Sequence, residues 1–523
     1  MTRVPERGAT DAIAAGPDEA IGSTETHISR LWLSPDRVYK MLKPVEFGFL
    51  DLSDRSDRLA AADRELELNR RFAPDVYLGS ADVVEEGDTV ERMIVMRRLP
   101  ADRRLSAIVH DPDFDACLRS IARQVAGFHS AAEPVVDAPM ATRDRVEANW
   151  TSNFLTLEAH VGTIIDRDEY DRVRHLATRY LAGRADLFDA RIAEGFVVDG
   201  HGDLTADDIY CLADGPRLLD CLAFDDDLRI ADVLADIGFL VMDVHRLAGR
   251  RAAVLLMDAY HQFSNEQHPS TLAHHYVAYR AHVRAKIACL RVAQGDTTQV
   301  ELARTYHHLA LHHLERSQVR MVLVGGGPGV GKTTVASALA GHTGYIHLSS
   351  DEIRRDVAGT APGEHHFVEP GTGMYTPEAV ADNYRELERE AGILLAAGNG
   401  VVLDASWSRE EHRRAARTIA GRHGADVVEI ECSLDPATAR ERIARRMSNP
   451  WDPSDATPDV VDHVARQHEP WPEAVSISTA ATIDHVTAVA VSVVDRLALP
   501  GRDVSPRTSD AFPTPVVTHD ASP

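Results

Sequence analysis

Met321-Val-Leu-Val-Gly-Gly-Gly-Pro-Gly-Val-Gly-Lys-Thr-Thr334 runs from an apolar, β-branched strand into a glycine-rich turn, then into the helical pattern Val335–Ala340. Gly326, Gly331, Lys332 and Thr333 satisfy G-x-x-x-x-G-K-[ST] in the strand-loop-helix setting that the motif needs. Glycines let main-chain N–H groups turn inward around an anion without Cβ clashes. The following helix aims its positive end at the same point. The loop Gly326, Gly327, Pro328, Gly329, Val330, Gly331, with Lys332, Thr333 and Thr334, therefore reads as a cradle for the phosphates of ATP. Lys332 would reach the β/γ-phosphates and the Thr333 hydroxyl would hold Mg²⁺.

Downstream, Tyr345–Leu348, Val401–Asp404 and Asp426–Glu431 read as strands alternating with helices over Pro377–Ala397, Arg409–Arg422 and Pro436–Met447. That alternation predicts an α/β domain on a parallel sheet. Asp351 follows a strand end, where open α/β sheets gather ligands, and could take a proton from an acceptor hydroxyl. Arg354 could clamp an anion. Val401-Val-Leu-Asp404 ends an apolar strand in an acid, the form of a Walker B aspartate that supports Mg²⁺ through water. Arg442 and Arg446 are four residues apart on one helical face and could close over a transferring phosphoryl group. Tyr375 and Tyr384 are candidates for an acceptor pocket, although core packing is the better reading for either.

The chain has 523 residues, enough for two to four domains at ~150 residues each. A net charge of −25 argues against an extended nucleic-acid footprint or an anionic membrane surface. No apolar run approaches the ~20 residues of a membrane helix, and no secretory signal opens the chain, so a cytoplasmic location is expected. The five cysteines lie far apart and read as free thiols. Lysine occurs only at Lys40, Lys43, Lys286 and Lys332, so a retained lysine suggests a site that wants a compact point charge; Lys332 fits that reading, with Lys40 or Lys43 as a second case. His308 and His312 share a helical face, but no third ligand accompanies them and a solvated linker helix is the better reading.

In the first half, His27–Leu33 and Arg37–Leu42 read as strands joined by Ser34-Pro35-Asp36, followed by a charged helix over Asp57–Phe72 and a strand at Val90–Met96. His201-Gly-Asp203-Leu204 lies in a loop, with Asp208 and Asp220 beyond it. This order matches a catalytic loop plus metal-binding carboxylate, in which Asp203 deprotonates an acceptor hydroxyl while Asp208 and Asp220 hold Mg²⁺. Lys40 on a strand and Glu65 on the next helix have the order of a phosphate-binding lysine and its ion-pair partner.

His201-Gly-Asp-Leu204, Leu219-Asp220-Cys221 and Asp232 through Asp236 resemble the aminoglycoside-phosphotransferase, choline-kinase-like branch of the kinase fold. With Thr26–Ser29, Val38–Lys40, Phe47–Asp51, Glu65–Arg71, Phe224-Asp225 and Leu228-Arg229, the sequence also resembles a bacterial two-domain family. In that family such a domain is fused to a P-loop kinase of AAA or zeta-toxin type. Thr205 and Asp208 stand where that branch has a histidine and an asparagine, and Leu33–Asp36 offers no glycine-rich flap. The resemblance implies an N-terminal α+β protein-kinase-like domain at 25–315 and a C-terminal α/β P-loop domain at 316–500; residues 1–24 and 501–523, rich in Pro, Ser, Thr, Gly and Asp without periodicity, read as disordered tails. It implies phosphate transfer from Mg·ATP to a hydroxyl of a small molecule. The alternative is a toxin-like kinase acting on a nucleic-acid end or a nucleotide-sugar, with the first domain a regulatory pseudokinase.

Overall fold

The computed structural model describes residues 6–7, 22–47, 50–85, 88–358, 376–446 and 468–498. These residues gather into two units that cut across the boundary expected between 315 and 316. The first comprises the described residues up to Arg145 with Arg191–Glu266, and the second comprises Val146–Ala190 with Gln267 onward. The reason lies in local ties within unit 2. Arg179 pairs with Asp426 at 2.7 Å and donates to Ala425 O at 3.0 Å. Thr271 donates to Gly398 O at 2.6 Å, and Gly424 comes so close to the helix Arg167–Leu181 that a Cβ would meet Arg179 O at 2.5 Å.

Unit 1 carries β1 (Gly22–Glu25), β2 (Ser29–Leu33), β3 (Arg37–Leu42), helix α1 (Arg55–Arg70), β4 (Tyr77–Glu85) and β5 (Asp88–Arg97). With the short strand Glu6–Arg7 they form a six-stranded antiparallel sheet, ordered Glu6–Arg7, β4, β5, β3, β2, β1. Two segments expected in the N-terminal tail, Glu6–Arg7 and Gly22–Glu25, are thus strands; the remainder of 1–24, and all of 501–523, lie outside the described residues. Helix α1 forms because Ala62, Leu66 and Asn69 recur at helical spacing and bury one stripe. Ala62 and Leu66 of that stripe sit with Leu42, Tyr77, Ile94, Tyr210 and Leu219 in one apolar cluster. Helix α2 (Phe114–Ala131), the hairpin β6 (Ile209–Leu212) and β7 (Gly215–Leu218), and α3 (Val233–Ser264, broken at Gly249) complete the part that matters here. Cys117 on α2 and Cys211 on β6 form a disulfide, which corrects the expectation of five free thiols; Cys221, Cys289 and Cys432 are free and buried. The two bonded residues are 94 apart in sequence, a juxtaposition made by α2 packing beside the hairpin.

Unit 2 continues through α4 (Ser270–Ala293) and α5 (Val300–Arg316), which pack along each other. Helix α5 is not the solvated linker expected, because His307, Leu311 and Leu314 are buried; His308 stays exposed beside Glu169. The chain then alternates: β8 (Arg320–Gly325), α6 (Lys332–Thr343), β9 (Ile346–Ser349), α7 (Ser350–Ala358), α8 (Pro377–Ala396), β10 (Val401–Asp404), α9 (Glu410–Arg422), β11 (Asp426–Ser433), α10 (Pro436–Arg446), β12 (Val475–Ser478) and α11 (Ile483–Ala498). The five strands are all parallel in the order β9-β10-β8-β11-β12. Every residue of β8 and β10 is buried, as expected for strands covered on both faces. Val322, Val402 and Ile430 meet Val335, Ala336 and Leu339 of α6 and Val486 and Ala490 of α11. Full burial of a side chain such as Leu339 contributes about 1.5–3 kcal/mol. Among the described residues, no helix is long and apolar enough to cross a membrane.

Candidate active sites

In unit 2, β8 runs out at Gly325 and the chain reaches α6 through three positive φ angles, 136° at Gly326, 78° at Gly329 and 94° at Gly331. A side chain is excluded by space as well as by conformation. A Cβ on Gly326 would lie 2.5 Å from Cys432 O, and one on Gly329 would lie 2.6 Å from Ala439 O. Gly331 caps α6 without a side-chain acceptor, so the first-turn N–H groups are left for a ligand, beside Lys332 and Thr333. The loop is fixed from behind. Gly326 N–H donates to Ser406 O at 3.2 Å, and Thr479 Oγ1 donates to Val330 O. Arg442 reaches the same place, donating to Thr479 O at 3.0 Å and to Val330 O at 3.5 Å. Next to the loop is a cavity of ≈ 490 Å³ whose walls include Gly331, Thr334, Arg442, Arg445, Thr479 and Ile483. Arg446 closes α10, and its side chain lies outside the described residues, as does Tyr375.

Strand register brings two acids to the same edge. Ser349 pairs with Asp404, and Val324 pairs with Asp404 from the other side, so β9 and β10 end level with the start of the loop. Asp351 lies just beyond β9 in the first turn of α7, where its Oδ1 accepts from Arg354 Nη1 at 2.7 Å. Asp404 is buried, and its Oδ1 has no hydrogen-bond partner. A buried carboxylate oxygen left open beside a phosphate cradle suits a cation held with the phosphates, so the residues present fit Mg²⁺. Both Lys332 and Asp404 act on the Cys432 thiol: burial pushes it up to about 12, Lys332 opposes that and Asp404 adds to it. Tyr384 is buried, as the packing reading expected; its hydroxyl contacts Ser406 Oγ at 3.1 Å and accepts from Trp407 N–H at 3.1 Å, and its ring stacks on His412 at 3.8 Å. Sequence reasoning missed His347. Its Nε2 lies 3.9 Å from Asp404 Oδ2, and the period-two alternation of Ile346-His-Leu-Ser349 was the signal available.

In unit 1, Lys40 Nζ on β3 lies 2.7 Å from Glu65 Oε1 on α1 and 2.9 Å from Asp220 Oδ1, so residues 180 apart meet at one ammonium. Burial alone would lower the Lys40 pKa; Asp220 and Glu65 outweigh it and hold it well above the usual value. Asp220 adopts φ 62°, a left-handed conformation rare outside glycine, and its N–H donates to the Tyr77 hydroxyl at 3.1 Å. Asp208 is pushed up to about 7 by burial and by the Asp220 charge, against a hydrogen bond from Thr205 Oγ1 at 2.7 Å. The two departures from the kinase-like pattern, Thr205 and Asp208, are therefore bonded to each other. The loop around Asp203 hangs on α3: Asp236 accepts from His201 N–H at 2.7 Å and Gly202 N–H at 2.8 Å, and Asp243 accepts from Ala206 N–H at 3.0 Å. His129 of α2 reaches Asp236 Oδ2 at 3.2 Å. Sequence reasoning missed Tyr77, His129 and Asp243. It also misplaced the hairpin that stands where a flap belongs. Because β1 precedes β2, that tip is Thr26–Ile28, with Lys43 Nζ donating to Thr26 O at 2.6 Å. The Asp220 charge raises the proton affinity of Asp208, and the two carboxylates are a donor set suited to a hard divalent cation.

Residues 321–471 match the model of a family described as AAA domain. Two solved structures share low identity with the chain. A gluconokinase from Sinorhizobium meliloti 1021 is 17% identical, covering 34% of this chain and 93% of its own, with a TM-score of 0.26. A choline/ethanolamine kinase family protein from Mesorhizobium loti is 13% identical, covering 58% of this chain and 95% of its own, with a TM-score of 0.35. The protein named Uncharacterized protein Rv2004c from Mycobacterium tuberculosis is 35% identical over 480 residues. That alignment takes in 90% of this chain and 95% of the mycobacterial one, and the chain belongs to the family of Rv2004c.

Proposed function

We propose that the chain is an ATP-dependent phosphotransferase whose second unit moves the γ-phosphoryl group of ATP to a hydroxyl of a small molecule. The observation that carries this reading is the meeting, at one sheet edge, of the glycine cradle with Asp351 and Asp404 at the ends of neighbouring strands. The cradle N–H groups and Lys332 bind the β- and γ-phosphates. Thr333 and Asp404 would hold Mg²⁺, which supplies Lewis-acid charge neutralisation when bound. Asp351 takes the acceptor's proton as its oxygen bonds to phosphorus; the bond from γ-phosphorus to the β–γ bridging oxygen breaks and ADP leaves. Arg354 donates to Asp351 and orients its carboxylate for that role, and Arg442, with Arg446 four residues on, adds positive charge beside the phosphates.

The Lys40–Glu65–Asp220 cluster favours a second nucleotide site in unit 1, with Asp203 as base and Asp208 and Asp220 as cation ligands. Detection of ATP-dependent products by mass spectrometry, using a metabolite extract and Lys332→Ala and Asp203→Ala proteins, tests both readings. Products lost with Lys332→Ala and kept with Asp203→Ala support the assignment to unit 2; the reverse pattern overturns it. Faster transfer to 5′-hydroxyl oligonucleotides than to sugars and aminoglycosides would favour the nucleic-acid-end reading instead.

A further inference from the structure

Asp404 Oδ1 and His347 Nε2 are buried atoms on adjacent strands, and neither has a hydrogen-bond partner. Leaving such groups unsatisfied is unfavourable, so each marks a place where a ligand can supply the missing contact. The pairing of His347 with Val402, and of Ser349 with Asp404, sets His347 and Asp404 on one face of the sheet. Val402 on that face packs against α6, the helix that opens with Lys332 and Thr333. The His347 Nε2 to Asp404 Oδ2 distance of 3.9 Å is too long for a hydrogen bond. It falls within the span of one shared ion, because two ligands each about 2.1 Å from a cation lie no more than about 4.2 Å apart.

Among the described residues, no three His, Cys, Asp or Glu side chains form a metal cage. A nucleotide-bound cation needs no cage, since phosphate oxygens, water and the Thr333 hydroxyl can fill the other positions. An imidazole nitrogen does change which cation is favoured. Mg²⁺ takes oxygen ligands and sheds water reluctantly, whereas Mn²⁺ and Co²⁺ lie higher in affinity for sites that include nitrogen.

We propose that His347 Nε2 is, with Asp404, a protein ligand of the divalent cation bound with the triphosphate, so that unit 2 takes Mn²⁺ or Co²⁺ in preference to Mg²⁺. This deepens the reading of unit 2 as a nucleoside-triphosphate site and rests on it. The imidazole must present Nε2 unprotonated, with its hydrogen on Nδ1.

The test uses the metal-free full-length chain with β,γ-methylene ATP, an analogue without a bridging nitrogen, and follows binding by calorimetry and bound Mn²⁺ by pulsed electron paramagnetic resonance. The wild type is expected to bind the Mn²⁺ complex about tenfold or more tightly than the Mg²⁺ complex, and to show ¹⁴N modulation on Mn²⁺. His347→Ala and His347→Gln should lose the modulation and bring the two affinities to within about threefold of each other. Wild-type Mn²⁺ with nucleotide bound to a site that Lys332→Ala abolishes, and no ¹⁴N modulation, overturns the proposal while leaving the unit 2 nucleotide site standing. An unchanged Mn²⁺ to Mg²⁺ ratio in the variants overturns it too. Absence of nucleotide binding by the wild type with any of these cations overturns both this proposal and the function on which it rests. The wild-type spectrum decides the matter even where a variant does not fold.

Discussion

In unit 2 the groups proposed to meet a triphosphate are chiefly main-chain N–H groups, held by Gly326, Gly329 and Gly331 in conformations that other residues avoid. In unit 1 the proposed site is made of side chains from four distant positions, Lys40, Glu65, Asp208 and Asp220, linked by charge. A backbone cradle is rigid before any ligand arrives and tolerates no added atoms. A cluster of buried charges is adjustable, but each member leaves the others stranded when it is removed. The two sites should therefore fail differently under substitution.

The largest effect is expected on activity. Lys332→Ala should lower ATP turnover by ~10²–10³-fold, the range seen when one preorganised group is taken from a developing charge. Asp203→Ala should leave that turnover within about twofold, since it touches only the other site. Steady-state ADP release measures both, and similar losses in the two variants would end the division of labour drawn here.

Removal of the unit 1 ammonium should act on stability before anything else. Lys40→Met strands Glu65 and Asp220, whose partner it is at 2.7 and 2.9 Å, and the Lys40 and Glu65 side chains are each about nine-tenths buried. We expect a loss of about 3 kcal/mol, with Lys40→Met/Glu65→Leu recovering part of it because no lone carboxylate then remains in that pair. Calorimetric melting would show this. A double variant no better than the single one would mean that the cluster is not held by its charges.

Glycine substitutions test the other half of the comparison. Gly329→Ala meets Ala439 O at 2.6 Å and a φ of 78°, and should cost about 1–3 kcal/mol together with nucleotide binding. Gly341→Ala, in α6 with nothing within 4 Å of the new atom, should gain about 0.5–1 kcal/mol and leave binding alone. If both variants melt like the wild type and bind nucleotide, the cradle is not rigid in the way its angles imply.

The same contrast explains what could be read without coordinates. The cradle lies in one contiguous run, Gly326–Thr334, and the acids Asp351 and Asp404 sit at the ends of recognisable apolar strands, so local pattern reaches them. Lys40 and Glu65 were accessible through their order along the chain, but the convergence of Asp220 on the same ammonium depends on a packing step across 180 residues. His347 was missed because alternation along a short strand gives the face of a histidine but not its neighbours; its meaning comes from the register with Val402 and Asp404. The strand Gly22–Glu25 was hidden for a related reason. Its sequence, Gly-Ser-Thr-Glu, has no apolar alternation, and it is a strand because β2 supplies its partner groups. The interleaving of the two units and the Cys117–Cys211 bond likewise arise from long-range packing that composition and periodicity do not carry.

The smallest effect concerns pH and the buried charges of the helical layer in unit 2. Where unit 1 buries Lys40 charged and paired, this layer buries neutral rings. His275 accepts from Trp150 Nε1 at 3.2 Å and stacks on Tyr180, and His307 is likewise enclosed. Burial pushes His275 down to about 3, with Arg184 adding to the shift, and His307 down to about 4, with His308 adding and Asp166 opposing. Unfolded histidine titrates near ~6.5, so below that pH the unfolded chain binds protons that the folded layer refuses. Stability contributed by these rings is present above ~6.5 and lost as pH falls from there toward 3–4. Melting of the wild type should thus shift downward between pH 7.5 and pH 5.5, and His275→Gln, which keeps an acceptor for Trp150, should show a shallower dependence by up to about one proton. Burial also lowers His201 in unit 1 and His282 and His412 in unit 2, so some acid sensitivity belongs to each; a slope unchanged in both His275→Gln and His307→Gln would mean that these two rings carry none of it.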